Sequence, residues 1–175
     1  MEFRVGKFGS VVNGFAMDDA DMDITIMTNN YIKERYLLEM LSGFLTHRLN
    51  ALDYSIQYVG NANVPVVKLV RKPRRSGDIE VHVDILVNNI CGVINSTYLR
   101  TYSELRSVKY MGVLIKMWAK RVGLISQNRL SSYSFVLMMI YFLIKKNLVP
   151  NILKPIENSD YQDTPIIVKR CKQVG

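Results

Sequence analysis

The sequence predicts an α+β fold, with a mixed-sheet lobe in its first half and a helical lobe in its second. Short apolar runs in the first half are punctuated by Gly60, Pro65 and Gly77, which is typical of strands. The stretch from Tyr31 to Leu49, and much of the chain after Tyr98, instead have apolar residues at helical spacing. We therefore predict strands over residues 24–27, 64–70 and 79–87, and helices over residues 31–49, 103–122 and 131–146.

The length of 175 residues fits one domain, or two small lobes that share a core. We predict the sheet-containing lobe over residues 1–97 and the helical lobe over residues 98–154. The chain becomes polar after Pro155, so residues 155–175 are expected to form a loop and a C-terminal tail.

The composition limits the class of protein. The chain has 23 Lys and Arg residues against 15 Asp and Glu residues, a net charge of +8. This excess favours a polyanionic partner, either nucleic acid or an acidic membrane surface, although simple solubility would also explain it. The longest apolar run, residues 135–144, is half of the ~20 residues that span a bilayer, so we expect no membrane segment. Two cysteines without a CxxC motif predict no structural zinc and a reducing, intracellular environment. We expect the cytoplasm, with an organelle as the alternative.

Asp21 and Asp23, at the start of a predicted strand, are the most informative residues. Side chains two apart on a strand point to one face, with Cα atoms roughly 6–7 Å apart, so both carboxylates could bind one pair of divalent ions. Asp84, on another predicted strand, is the candidate third ligand. Oxygen ligands favour two Mg²⁺ or Mn²⁺ ions over zinc. An Asp-X-Asp motif alone is common, so a solvated strand start is the competing interpretation.

Gly9 and Ser10 precede Asp21 by ten spacer residues. A glycine lets backbone amides approach a phosphate, and a following serine can donate its hydroxyl while capping a short helix. By itself the pair is only a turn. Together with the Asp-X-Asp motif at this spacing, it indicates phosphate chemistry.

The predicted helix around Trp118 has lysines on one side. Lys109, Lys116 and Lys120 lie within roughly 40° of one another on a helical projection. The apolar stripe on the opposite side consists of Tyr110, Val113, Leu114, Met117 and Trp118. The lysines form either an ordinary solvated face or, for Lys116 and Lys120, a pair that binds the β- and γ-phosphates of a nucleotide.

Ser131 and Ser132 open the next predicted helix, and either one is a suitable N-cap. The functional alternative places Ser132 on a phosphate and Tyr133 under a base, where stacking contributes about 1–3 kcal/mol. An aromatic ring stacks on every base, so this contact would add affinity without selecting the nucleotide.

Seven short blocks of residues occur in the order found in one known family. They are Gly9-Ser10, Asp21-Met22-Asp23, Val83-Asp84-Ile85, Asn88-Asn89, Asn95-Ser96, Lys116-Met117-Trp118-Ala119-Lys120 and Leu130-Ser131-Ser132-Tyr133. On these blocks, and on residues 64–68, the chain between residues 8 and 151 resembles terminal uridylyltransferases and divergent poly(A) polymerases. These enzymes are DNA-polymerase-β-like nucleotidyltransferases.

The resemblance implies a nucleotidyltransferase (palm) catalytic domain over residues 1–97 and part of a helical central domain over residues 98–154. Asp21 and Asp23 would bind both Mg²⁺ ions, and Asp84 would complete the ion that activates the RNA 3′-hydroxyl. The residues implied for triphosphate binding are Gly9, Ser10, Lys116, Lys120 and Ser132. Asn95 would hydrogen-bond the ribose 2′-hydroxyl or the base, Tyr133 would stack under the base, and Asn89 would lie near the ribose or the RNA primer end. Ser96, which is also implied in nucleotide binding, stands where many relatives have threonine.

The implied activity is template-independent addition of UMP from UTP to the 3′ end of single-stranded RNA by a two-metal mechanism. The alternatives are a poly(A)-type polymerase that uses ATP, a non-catalytic RNA-binding fragment or pseudoenzyme, and a nucleotidyltransferase with a small-molecule acceptor. In the family the central domain continues beyond the end of this chain, and a later loop distinguishes uracil from adenine. We therefore expect either a fragment or a minimal member.

The RNA path is predicted from basic residues alone. Lys68 lies on the strand that follows the family pattern, and we expect it to contact an RNA phosphate. Arg74 and Arg75 belong to the densest basic cluster of the chain, which a solvated hairpin turn explains equally well.

Overall fold

A computed structural model describes residues 3–28, 33–49, 53–76, 78–126 and 129–152. Within these residues, one sheet contains the strands Phe3–Phe8 (β1), Met22–Thr28 (β2), Tyr54–Val59 (β3), Val66–Arg71 (β4) and Val81–Val87 (β5). The described helices are Gly9–Asn13 (α1), Glu34–Leu49 (α2), Ile90–Ser103 (α3), Arg106–Arg121 (α4) and Ser132–Lys145 (α5). The chain divides into two compact units, Met1–Thr97 and Tyr98–Gly175.

The sheet of the first unit is mixed and has the strand order β1-β2-β5-β4-β3. The central strands β2 and β5 are parallel, whereas the other neighbouring strands are antiparallel. This register pairs Asp23 with Asp84, and Asp84 with Lys68. Because directly paired residues point to the same face of a sheet, these three side chains lie next to one another.

The two faces of the sheet have different partners. Helix α2 covers one face, where the buried core consists of Leu38, Val67, Ile85 and Val87. Since side chains alternate along a strand, Asp23 and Thr25 lie on the other face, next to Ile24 and Ile26 of the core face. On that other face the side chain of Val93, in α3, approaches Gly6 of β1. The start of α3 therefore packs on the same face as the carboxylates.

The predicted α+β fold class is confirmed, and β2, β4, β5, α2 and α5 lie where the sequence predicts them. The two edge strands, β1 and β3, were missing from the prediction. Most residues of β1 are exposed, so its side chains show little of the alternation that identifies a strand. Pairing with β2 makes this segment a strand. The predicted tail, residues 155–175, lies outside the described residues.

The helix predicted over residues 103–122 is confirmed as α4, Arg106–Arg121, whereas α3, Ile90–Ser103, was missing from the prediction. The segment of α3 contains Gly92 and several β-branched and hydroxyl-bearing residues, which favour helices weakly. Asn89 compensates at its start, because its Oδ1 accepts a hydrogen bond of 3.1 Å from the Gly92 N–H.

The second unit is built on α4 and α5, which pack against each other. The buried side chains of α5 are Phe135, Val136, Met139, Ile140 and Leu143. The Tyr102 hydroxyl donates to the Pro150 carbonyl at 3.0 Å and accepts from the Ile152 N–H at 3.2 Å, which connects the end of α3 to the chain after α5. Among the described helices, none combines the length and the apolar character needed to cross a membrane.

Helix α4 buries a different face from the one its apolar stripe suggests. Its buried residues are Val108, Gly112, Lys116 and Ala119, which share one side of the helix. Trp118 and Met117 are each 54% exposed, whereas Lys116 is only 5% exposed. The interpretation of Lys116 as part of a solvated face is therefore wrong, although Lys109 and Lys120 are exposed. The small residues Gly112 and Ala119 permit close packing on this side.

Candidate catalytic and nucleotide-binding site

The centre of the candidate site is a row of charged side chains across three strands, which we call the carboxylate row. It consists of Asp23 on β2, Asp84 on β5 and Lys68 on β4, in register with one another. The Lys68 Nζ lies 3.5 Å from Oδ2 of Asp84. Asp21 is exposed and precedes β2 by one residue. Three carboxylates thus lie near one lysine, which leaves the site with an excess of negative charge.

This excess charge changes the acidity of Asp23. Burial, followed by repulsion from Asp84 and then from Asp21, raises the pKa of Asp23 from 3.8 to about 6. Lys68 acts in the opposite direction and lowers this pKa. A carboxyl group that resists ionisation in the metal-free protein becomes a strong ligand once a cation compensates its charge.

The donor chemistry of the row fits a divalent cation. As the side chains stand, no three His, Cys, Asp or Glu residues in the described part of the chain are arranged to hold a metal ion. The neighbouring carboxylates of Asp23 and Asp84 are nevertheless hard oxygen ligands whose mutual repulsion a cation would relieve. Asp21, Asp23 and Asp84 are therefore the residues that fit Mg²⁺ or Mn²⁺, provided that their carboxylates rotate towards one point.

Gly9 lies directly against the carboxylate row. Its φ of +77° is left-handed, and a Cβ added to it would overlap Oδ2 of Asp23. Both facts require glycine at this position. The Gly9 N–H donates to the Ser96 Oγ at 2.8 Å. Ser10 lies inside α1, whose N-cap is Phe8 without a side-chain hydrogen bond, so the prediction that Ser10 caps this helix is wrong.

Three predicted residues, Asn89, Asn95 and Ser96, lie at the start and in the first turns of α3. The Asn89 N–H donates to Oγ1 of Thr25 at 2.9 Å, and its side chain caps the helix. The Ser96 hydroxyl donates to the Gly92 carbonyl at 2.7 Å, in addition to accepting from Gly9. Asn95 is exposed, whereas Ser96 is buried. The side chains of Asn89 and Ser96 therefore hold the protein structure together.

The second unit contains the other predicted nucleotide-binding residues. Lys116 and Lys120 lie one turn apart on α4, the first buried and the second exposed. Ser131, not Ser132, is the N-cap of α5, since its Oγ accepts from the Ser134 N–H at 3.3 Å. Ser132 is the first residue of the helix and Tyr133 follows it. Burial raises the pKa of the Tyr133 phenol above its usual 10.0.

The basic residues predicted to contact RNA have acidic neighbours. Lys68 pairs with Asp84, as described above. Nε of Arg74 lies 2.9 Å from Oδ2 of Asp53, and the backbone amides of Arg74 and Arg75 donate to Oδ2 of Asp78 at 3.2 Å. This geometry is that of a turn closed by Asp78, which favours the hairpin interpretation of the cluster.

Sequence reasoning missed Thr25, which is fully buried and accepts the hydrogen bond from the Asn89 amide. The sequence does indicate the face of the sheet on which Thr25 lies. Thr25 follows Asp21 and Asp23 at the same two-residue spacing, so it points to the face of the carboxylates. Gly92 was also missed, because its carbonyl accepts the hydrogen bond from the Ser96 hydroxyl only once α3 has formed.

Known proteins share this sequence pattern. The family model of the poly(A) RNA polymerase, mitochondrial-like, central palm domain matches residues 1–104. Terminal uridylyltransferase cid1 of Schizosaccharomyces pombe is 30% identical over 152 residues, which cover 83% of this chain and 36% of that protein. Poly(A) RNA polymerase GLD2 of Xenopus tropicalis is 32% identical over 161 residues, which cover 86% of this chain and 29% of that protein. The chain thus spans about a third of these relatives.

Solved structures share the fold. The Cid1 poly(U) polymerase bound to MgATP matches with a TM-score of 0.72 and 28% identity, over 88% of this chain and 48% of that one. Terminal uridylyl transferase 4 from Trypanosoma brucei with bound dUTP matches with a TM-score of 0.69 and 25% identity, over 83% of this chain and 49% of that one. With a family model that matches more than half of its residues, the chain belongs to the family of the mitochondrial-like poly(A) RNA polymerase central palm domain, and it is similar to terminal uridylyltransferases and GLD2 poly(A) polymerases.

Proposed function

We propose that this chain carries the catalytic domain of an enzyme that adds nucleotides to RNA 3′ ends without a template, with UTP as the substrate. The pairing of Asp23 with Asp84 on adjacent parallel strands carries the proposal, because it concentrates negative charge where a divalent cation fits. The relationship to terminal uridylyltransferases supports both the reaction and the nucleotide. The net charge of +8 favours RNA over a small-molecule acceptor.

The reaction is an in-line displacement at phosphorus. The 3′-hydroxyl oxygen of the RNA attacks the α-phosphorus, a new P–O bond forms, and the bond to the bridging oxygen breaks so that pyrophosphate leaves. Asp21, Asp23 and Asp84 would hold the divalent cations, two in number, which when bound neutralise phosphate charge and acidify the attacking hydroxyl. Lys68 keeps Asp84 aligned within the row through its contact with Oδ2.

Four residues of the second unit are proposed to bind the nucleotide. Lys116 and Lys120 are positioned one turn apart, a spacing that suits two phosphates of one triphosphate. Because Ser131 caps the helix, the Ser132 hydroxyl is not needed for capping and would bind a phosphate. Tyr133 would stack on the base through its aromatic ring.

ATP is the second candidate substrate. The matching family model describes a poly(A) RNA polymerase, and GLD2 poly(A) polymerases are among the relatives. Stacking on Tyr133 does not distinguish uracil from adenine. Nucleotide choice is therefore measured directly in the experiment below.

The test offers a labelled single-stranded RNA oligomer and Mg²⁺ to the 175-residue chain, with each of the four nucleoside triphosphates supplied separately. We expect extension with UTP, and at least a hundred-fold loss of extension rate in Asp84→Ala. The matched control is Asp18→Ala, which removes the same charge from an exposed turn before β2 and leaves extension unchanged.

Three results would contradict the proposal. Undiminished extension by Asp84→Ala would exclude the carboxylate row as the catalytic site. Extension with ATP alone would replace UTP by the second candidate. No extension with any triphosphate, together with RNA binding that does not depend on Mg²⁺, would instead favour the non-catalytic RNA-binding alternative.

A further inference from the structure

We propose that Ser96 is a positioning residue, which holds the turn at Gly9 against Asp23, and that it does not contact the nucleotide. This inference rests on the proposed function, since Asp23 is a catalytic carboxylate only in that reaction. It also changes the role that the family resemblance implies for Ser96.

The hydrogen bonds of Ser96 carry the inference. Its hydroxyl has a single hydrogen, which it donates to the Gly92 carbonyl at 2.7 Å. A lone pair of the same oxygen accepts the Gly9 N–H at 2.8 Å, across 87 residues of sequence. Ser96 is 4% exposed, and its hydroxyl is covered by protein atoms. Both of its bonds therefore end on protein backbone.

The turn at Gly9 transmits this constraint to the carboxylate row. The Cα of Gly9 lies so close to the Asp23 side chain that an added Cβ would overlap Oδ2. A shift of Gly9 towards Asp23 is sterically blocked, and the bond to Ser96 opposes a shift away from it. Ser96 thus restricts the position of the Asp23 carboxylate indirectly, because it fixes Gly9, which lies against that carboxylate.

The other end of the connection is also fixed. Ser96 lies on α3, whose first turn is capped by Asn89, and the Asn89 amide donates to the buried Thr25 on β2. Thr25 follows Asp23 on the same face of the same strand. The loop from Asp23 through Gly9, Ser96 and Asn89 to Thr25 therefore closes on itself, which makes the position of the turn well defined.

Asn95, the neighbour of Ser96 on α3, is exposed and therefore accessible to a ligand. Its side chain reaches solvent, whereas the Ser96 hydroxyl is covered and engaged. If the nucleotide ribose binds at this segment, Asn95 is the residue placed to contact it. Removal of the Ser96 hydroxyl should then affect ribonucleotides and 2′-deoxyribonucleotides equally.

The first measurement is amide hydrogen exchange at Gly9, compared in the wild-type chain, Ser96→Ala, Ser96→Thr and Thr97→Ala. The matched control Thr97→Ala removes a neighbouring hydroxyl that donates to the Val93 carbonyl at 3.0 Å on the same helix. We expect exchange at Gly9 to be at least ten-fold faster in Ser96→Ala, and unchanged in Ser96→Thr and Thr97→Ala. Unchanged exchange in Ser96→Ala would overturn the proposal. This readout needs no catalytic activity, so it remains decisive if the proposed function fails.

The second measurement is RNA extension with UTP and with dUTP, below the melting temperature of every variant. We expect Ser96→Ala to lower kcat at least ten-fold with both nucleotides, at an unchanged UTP/dUTP ratio, and Ser96→Thr to restore it. A loss confined to UTP, or one seen mainly in KM, would assign Ser96 to the ribose and overturn the proposal. A loss that Thr97→Ala shares would indicate general destabilisation and also overturn it.

Discussion

Ionisation of the Asp23 carboxyl group destabilises the metal-free fold, so we predict that Asp23→Asn stabilises the fold at neutral and alkaline pH. Burial, followed by repulsion from Asp84 and Asp21, raises the pKa of Asp23 from 3.8 to about 6. Since one pKa unit corresponds to about 1.4 kcal/mol, the full cost of the charge is about 3 kcal/mol. Asp23 is only partly buried, so screening by solvent reduces the expected gain in unfolding free energy to about 1–2 kcal/mol.

The sign of the pH dependence follows from proton binding. A carboxyl group with a raised pKa binds its proton more tightly in the folded chain than in the unfolded one. Ionisation between pH 3.8 and about 6 therefore destabilises the wild-type fold, and the penalty is fully present above this range. The asparagine variant has no such penalty. Its advantage should be largest near pH 8 and should decrease as the pH falls through 6 towards 3.8.

The assay is thermal unfolding of the metal-free proteins at several pH values between 5 and 8. For a chain of this size, about 1–2 kcal/mol corresponds to a Tm increase of about 2–8 °C. The control Asp18→Asn removes a charge from an exposed turn, and its Tm should match the wild type. A variant at position 23 that is no more stable than the wild type at pH 8, or whose advantage is the same at pH 5, would refute the reasoning.

Three further substitutions test other parts of the site. Gly9→Ala should lower unfolding free energy by at least about 1–2 kcal/mol, because it forces a left-handed φ and a clash with Asp23; Tm and RNA extension should both fall. Thr25→Val should cost about 1–3 kcal/mol in chemical denaturation, since it leaves the Asn89 N–H without its acceptor. Ser131→Ala should cost about 1 kcal/mol by loss of the α5 N-cap, with nucleotide affinity unchanged in a UTP titration.

Each of these has a control elsewhere in the chain. Gly43→Ala lies in α2 with nothing near its added methyl group and should stabilise the helix by about 1 kcal/mol. Thr46→Val removes an exposed hydroxyl and should be nearly neutral. Ser132→Ala should weaken UTP binding while leaving Tm unchanged. If Ser131→Ala rather than Ser132→Ala weakens UTP binding, the assignment of cap and phosphate ligand is reversed.

The carboxylate row shows how far sequence reasoning reached. The spacing of Asp21 and Asp23 on a strand is a local property, and their shared face follows from the two-residue period of any strand. Asp84 was a candidate because its strand alternates in the same way. That β2 and β5 are neighbours, with Asp84 between Asp23 and Lys68, depends on strand order. Strand order is set by long-range pairing, which local periodicity does not encode.

Helix α4 and Ser96 mark what periodicity could not predict. The apolar stripe of α4 was identified from spacing alone, yet the chain buries Lys116 and exposes Trp118. Which side of a helix is buried depends on the elements that pack against it, and here the small residues Gly112 and Ala119 mark that side. The hydrogen bond from Gly9 to Ser96 joins residues that are distant in sequence, so no local sequence pattern predicts it.

The sequence by itself determined which residues are candidates for phosphate and metal binding, their order along the chain, and from these the family and the α+β fold class. Those features are local, so a motif with its spacing is sufficient to identify them. Only the tertiary structure decided which of these residues meet, which hydroxyls are already engaged, and how strongly the Asp23 charge is disfavoured. The reason is that burial and electrostatic repulsion depend on distances between strands and helices, which are set when the whole chain packs.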